Sequence, residues 1–340
     1  MPFKHLPVMK TNDSSKMQAF EDCPRLYFMQ HRLGWQSTKP SLALTHGTAI
    51  HEGIRQLYLA KEKSGSFTDG YEAAYMAYLN EYIKVYPIED EWVLNSPKNP
   101  IGAQIAFATF CEQYAEDNFK LIGAEIWGSV PIAESREIIA KLDCLIETED
   151  GVLVIDNKTA SRSLTPLNIE EAEMKIQFFN YNLMGLSYAL TKGFKPADLH
   201  GLLVNHIAFK ETKRDGINIE HSRFQIKKSE QQMNQWVQEA NQIIDMIEWH
   251  DSILDKDSPE EETMLAFPRR LGNCVNKYFR KCAFYDFCRF FPNPLRFQDK
   301  VQPGFEVRFW DPKAKAEDAE FEGIKECSER TSRNKSEEAC

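Results

Sequence analysis

No apolar run in the 340 residues approaches the roughly 18–20 that a helix needs to cross a bilayer, so a membrane protein is not expected. Residues 1–10 lack the apolar stretch of a secretory signal, and a cytoplasmic location follows as the expectation. Positive charge is in short supply: 41 Lys and Arg stand against 51 Asp and Glu, a net charge of −10. That argues against a protein that coats duplex DNA indiscriminately, because affinity for phosphate comes mainly from cations. An acidic metal site with a local basic groove stays compatible with it. No phosphate-binding loop of the G-x4-G-K-[ST] type occurs. No internal repeat is visible, and no two cysteines form a tight C-x2–4-C knuckle of the kind structural zinc usually takes.

The chain has 42% hydrophobic residues, enough for a sizeable core in one or two domains. Ser14 and Ser15 can cap a helix over 14–33, with Met17, Phe20, Leu26 and Tyr27 in partly helical spacing. Further helices are expected at 48–62, 71–86 and 101–120. From Leu121 the pattern turns β-rich, with strands at 122–132, 136–147 and 152–157 and a hairpin turn at Glu149-Asp150-Gly151. A long helix over 167–191, strands near 200–209 and 219–226, and a helix over 229–250 follow, then a polar loop at 251–265. Residues 1–310 read as one α/β domain, a sheet with flanking helices. Residues 311–340 are charged and poor in large apolar side chains, which predicts a disordered tail that could recruit a partner.

Two short segments carry the chemistry. Lys141-Leu142-Asp143-Cys144 precedes the hairpin, and Val154-Ile155-Asp156-Asn157-Lys158-Thr159 follows it. In a strand, Asp156 and Lys158 share a face, and the hairpin can bring Asp143 beside Asp156. Two converging carboxylates suit Mg²⁺ or Mn²⁺, hard cations that prefer oxygen ligands. The lysine can orient the attacking water and offset charge developing on a phosphate. Upstream, Gly47-Thr48-Ala49-Ile50-His51 places a histidine on a helix. Downstream, Gln177 and Tyr181 lie four apart on one helix face, where their polar tips could hold a phosphate or an extruded base.

Eight cysteines without an export signal point to metal ligation rather than disulfides. Cys274, Cys282 and Cys288 cluster as C-x7-C-x5-C and need a fourth ligand. Cys111 and Cys144 read as small core residues, and Cys327 and Cys340 fall in the tail, which leaves Cys23 in Phe20-Glu21-Asp22-Cys23-Pro24-Arg25. Four cysteines match a [4Fe–4S] cluster or, as the competing occupant, zinc. Tyr278, Phe279, Phe284, Tyr285, Phe287, Phe290 and Phe291 would shield such a cluster, with Lys277, Arg280, Lys281 and Arg289 as a basic rim.

Glycine-x3-histidine, Asp, Asp-x-Lys and Gln-x3-Tyr, in this order over residues 14–291, resemble the PD-(D/E)xK nuclease superfamily. The likeness is to its RecB-like branch, with the AddB-type, CRISPR-associated and phage exonucleases. The resemblance implies a restriction-endonuclease-like fold with a helical N-terminal part and a C-terminal iron–sulfur cap. It implies that His51, Asp143, Asp156 and the backbone carbonyl of Asn157 hold the metal, that Lys158 is the catalytic lysine, and that Gln177 and Tyr181 form the branch's helix motif. Glu125 matches a further acidic position. Some members hold a [4Fe–4S] cluster with one N-terminal and three C-terminal cysteines, here Cys23, Cys274, Cys282 and Cys288. This chain departs from the usual C-x2-C-x5-C by placing Phe279 where the first of the three would fall. The expected activity is a DNA exonuclease on single-stranded ends, in recombination, replication or repair, with a helicase or recombination partner. The alternative is a catalytically silent DNA-binding or recombination subunit of the same fold.

Overall fold

The computed structural model describes residues 12–87, 96–212, 216–275, 281–297, 300–309 and 322–323. The tail expected to be disordered lies outside these, apart from Glu322–Gly323, as do Lys277, Tyr278, Phe279, Arg280, Cys327 and Cys340. No helix among the described residues is long and apolar enough to cross a membrane.

The sheet forms where β-branched and aromatic residues cluster. Strands β2 (Lys120–Ala133), β3 (Arg136–Thr148) and β4 (Gly151–Ala160) make an antiparallel meander through the expected hairpin. β5 (Leu199–Thr212) then pairs parallel to β4, and β6 (Gly216–Ile226) pairs antiparallel to β5. With the two-residue β8 (Glu322–Gly323) on β2, the order is β6-β5-β4-β3-β2-β8, a mixed six-stranded sheet. A separate two-stranded ribbon joins β1 (Trp35–Ser37) to β7 (Phe305–Val307).

One face of the sheet is covered by α3 (Leu42–Ser64), α4 (Tyr71–Tyr82) and α5 (Pro100–Gln113), whose aromatic side chains pack over Cys144, Ile146, Ile155 and Phe209. Helix α3 buries Thr45, Ala49, Ile50, Gly53, Ile54, Leu57 and Tyr58, a repeat of three and four that makes one continuous stripe. It starts at Leu42, ahead of the expected Thr48, because Ser41 caps it by accepting from Leu44 N–H.

The opposite face carries α7 (Ile176–Thr191), packed on Leu142, Val154, Leu202 and Val204. The single helix expected over 167–191 is two: α6 (Pro166–Glu173) stops at Met174, and Lys175 is extended before α7 begins. Only Ala172 of α6 is buried, whereas α7 buries a whole face, so the break lets the second segment alone settle on the sheet. Gly185 permits the approach. A Cβ there would stand 2.3 Å from Val154 Cγ2.

The helix expected over 14–33 also breaks, into α1 (Ser14–Asp22) and α2 (Pro24–Tyr27), followed by a π turn at Phe28–Arg32. Cys23 sits between them in extended conformation (φ −167°, ψ 118°), since the residue before a proline is pushed out of the helical region. These helices, α8 (Glu230–Ile253) and the C-terminal α9 (Tyr285–Phe290) share a second core around Phe20, Tyr27, Phe28, Trp236, Ile247 and Phe267. Residues from both ends of the chain thus close against each other.

Candidate active site

Strand alternation builds the first half of the site. Asp156 and Lys158 share a face of β4, and Lys158 Nζ donates to Asp156 Oδ1 at 3.0 Å. Lys158 Nζ also lies 5.6 Å from the centre of the Phe178 ring on α7, which limits where the ammonium can go. Asp156 is wholly buried, and its Oδ2 has no hydrogen-bond partner.

The second half comes from α3. Gly47 lets the helix close on the end of β4, since a Cβ there would sit 3.2 Å from Thr159 Oγ1. One turn later, His51 Nδ1 meets Asp143 Oδ2 at 3.1 Å. The same carboxylate oxygen accepts from Asn157 N–H at 2.8 Å and from Asn157 Nδ2 at 3.0 Å. Three donors therefore converge on Asp143 Oδ2.

Electrostatics separates the two acids. Burial pushes the Asp156 carboxyl up to about 6; Lys158 opposes this, and the charge of Asp143 adds to it. Burial would raise Asp143 too, but the His51 charge and the hydrogen bonds from His51 and Asn157 outweigh it and hold that carboxyl down at about 2. Burial would lower the His51 imidazolium, yet the charge and hydrogen bond of Asp143 hold it above its ordinary value. Neighbouring acids whose environments drive them apart in this way mark a chemical site.

Gln177 and Tyr181 are brought together on α7, with Gln177 Nε2 donating to the Tyr181 hydroxyl at 2.8 Å. Burial, then the charges of Asp156 and Asp143, hold that phenol well above its usual range, so it stands within reach of both acids' fields. Both residues line a cavity of about 690 Å³ together with Trp127, Lys141 and Lys175. Glu125 is not brought to the acids: its carboxylate pairs with Lys141, and its backbone takes a left-handed conformation at φ 54°.

Among the described residues no three His, Cys, Asp or Glu side chains converge closely enough to hold an ion as they stand. The donors nevertheless suit Mg²⁺ or Mn²⁺, being carboxylates with one imidazole. The unpartnered buried Oδ2 of Asp156 is the observation that fits a cation.

Sequence reasoning missed the residues behind the site. Asn205 on β5 donates to Asn157 Oδ1 at 2.8 Å and to the Tyr58 hydroxyl at 3.1 Å, and accepts from Arg223 Nε at 2.6 Å. A signal was present: one asparagine interrupts the apolar run Leu202-Leu203-Val204, and a polar group buried in a central strand must have partners.

The four cysteines come from both ends of the chain to the walls of one cavity, without three of them converging closely enough to hold an ion as they stand. Cys23, Cys274, Cys282 and Cys288 line one cavity of about 550 Å³, and among the described residues no cysteine is in a disulfide. Arg270 N–H donates to Cys23 Sγ at 3.3 Å, and Asn273 Nδ2 donates to Asp22 O at 2.5 Å. Burial pushes the Cys288 thiol up to about 12, with the Arg25 guanidinium opposing it. Arg25 is buried and spans the two ends, donating to Phe267 O at 2.7 Å, Pro292 O at 2.6 Å and Met264 O at 3.2 Å. Of the expected aromatic shield, Phe284 and Phe287 are buried, but Phe290 is 64% exposed and faces solvent. Its helix has six residues and buries only Phe287.

A mixed sheet flanked by helices, with an Asp-x-Lys strand and a second acid beside it, is the arrangement of a metal-dependent nuclease. The family model of the PD-(D/E)XK nuclease superfamily matches residues 14–289, and the chain belongs to that superfamily. Nucleases of this superfamily use divalent metals such as Mg²⁺ or Mn²⁺. No curated protein matches the chain.

Proposed function

We propose that this nuclease hydrolyses DNA from single-stranded ends, as an exonuclease in recombination, replication or repair. The observation that carries the catalytic part is Asp156: a wholly buried carboxylate with one oxygen held by Lys158 and the other without a partner. His51, Asp143 and Asp156, with the carbonyl of Asn157, would hold Mg²⁺ or Mn²⁺. When bound, the ion supplies activation of water and neutralisation of charge on the scissile phosphate. Lys158, tethered to Asp156 and backed by Phe178, orients the attacking water. Asp143, saturated on Oδ2 by three donors, keeps its charge across the physiological range. The preference for single strands is supported by the Gln-x3-Tyr pair and by the cavity it shares with Trp127, whose aromatic lining suits an unpaired base. Unwinding falls to a helicase or recombination partner.

A [4Fe–4S] cluster on Cys23, Cys274, Cys282 and Cys288 would join the two ends of the domain. It is supported by the common cavity and by the N–H donated to Cys23 Sγ, a contact typical of thiolate ligands.

End-labelled single- and double-stranded DNA, digested with Mg²⁺ or Mn²⁺, tests the activity. Wild type should cut single strands from the end, and Lys158→Ala should lose about 100-fold or more. A wild type that binds DNA but never cuts it points to the silent binding subunit. Anaerobically purified protein should be brown and lose its visible absorbance in Cys288→Ser. Colourless protein holding zinc would overturn the cluster assignment.

A further inference from the structure

One rung of the sheet runs from Asn157, the residue that donates to Asp143, to the edge strand. Asn157 pairs with Asn205 across β4 and β5, and Asn205 pairs with Arg223 across β5 and β6. Both asparagines are buried, at 2% and 1% exposure, so neither amide can turn to water for its partners.

The order of donors along this rung follows from one residue. A guanidinium only donates. Arg223 Nε donates to Asn205 Oδ1 at 2.6 Å, and Arg223 Nη1 is fixed on Asp117 Oδ2 at 2.6 Å. The guanidinium also lies 3.4 Å from the centre of the Tyr114 ring. With its oxygen turned to Arg223, Asn205 presents Nδ2 to Asn157 Oδ1 at 2.8 Å. Asn157 must then turn its own Nδ2 to Asp143 Oδ2, where the distance is 3.0 Å.

Resting on the nuclease reading above, we propose that Asn205 and Arg223 are positioning residues of the metal site. The donor-only guanidinium sets the direction of two successive amides so that a donor, never an acceptor, meets the Asp143 carboxylate. Reversing either amide would put a carbonyl oxygen against that carboxylate and turn it out of place. Oδ2 is thereby occupied by His51 and Asn157, and Oδ1 becomes the oxygen of Asp143 that a cation takes.

Asn205→Asp is the test. It is isosteric and retains the bond to Arg223, but its carboxylate only accepts, so the Asn157 amide must flip and present its oxygen to Asp143. Mn²⁺ binding is measured by calorimetry, DNA cleavage by kcat and KM, and folding by thermal melting. Expected are Mn²⁺ affinity and kcat each lowered by about tenfold or more, with KM for DNA within about twofold. In an Asn157→Ala background, where no amide is left to flip, the same substitution should cost less than about twofold. Arg223→Lys keeps a donor-only cation and should stay within about threefold of wild type, whereas Arg223→Gln, which can accept, should not. Undiminished Mn²⁺ binding and kcat in Asn205→Asp would overturn the proposal. So would an equal loss in both backgrounds, or equal behaviour of the two Arg223 variants, which also decide the matter if Asn205→Asp fails to fold. A wild type that neither binds Mn²⁺ nor cuts DNA sinks the nuclease reading itself. An active wild type with an indifferent Asn205 sinks only this one.

Discussion

Replacing Asp156 with asparagine should stabilise the metal-free protein while abolishing cleavage. The carboxyl sits at about 6 in the fold against an ordinary 3.8, because burial disfavours its charge more than Lys158 compensates. A shift of about 2 units corresponds to about 3 kcal/mol of folding free energy. The sign follows from linkage. A raised folded-state value means the native protein binds more protons than the unfolded chain between about pH 4 and 6, so stability falls through that window. Above pH 6 the full penalty is present. The variant removes it, and the contact to Lys158 needs no separate deduction, because the shift is already net of that opposing charge. The expected gain is about 3 kcal/mol at pH 8 and close to zero at pH 4, read by urea denaturation in chelator. Mn²⁺ at 1,000 times its dissociation constant should reverse the order, because a ligand then adds about 4.1 kcal/mol to the form that binds it. A variant less stable than wild type at pH 8 without metal would refute the claim that this carboxylate is held at a cost for function.

Two further outcomes are expected. Arg25→Met leaves the carbonyls of Phe267, Pro292 and Met264 without their donor in a buried setting and should cost about 3 kcal/mol; a urea midpoint equal to wild type would show that the two ends close without it. Gly185→Ala places a methyl 2.3 Å from Val154 Cγ2 and should cost about 1–3 kcal/mol, most of it recovered in the double variant with Val154→Ala; equal cost in both backgrounds would locate the strain elsewhere.

Much of the site could be read from local pattern. Period-two alternation puts Asp156 and Lys158 on one face wherever β4 lies, and a helical step of four puts Gln177 beside Tyr181. The meander β2–β3–β4 with its hairpin turn, and the grouping of Cys274, Cys282 and Cys288, were equally legible, because each depends on neighbours in the chain. Helix boundaries were less so: nothing local marks the stop at Met174, which exists because α7 settles on the sheet and α6 does not.

What only the tertiary structure decided is who meets whom across long separations. That His51 binds Asp143, that Glu125 turns to Lys141 instead, and that Arg223 aims two asparagines at one carboxylate depend on strand register and on how closely α3 can approach β4. Register and approach are set by the sum of many weak side-chain contacts over the whole core, and no short stretch of sequence contains that sum.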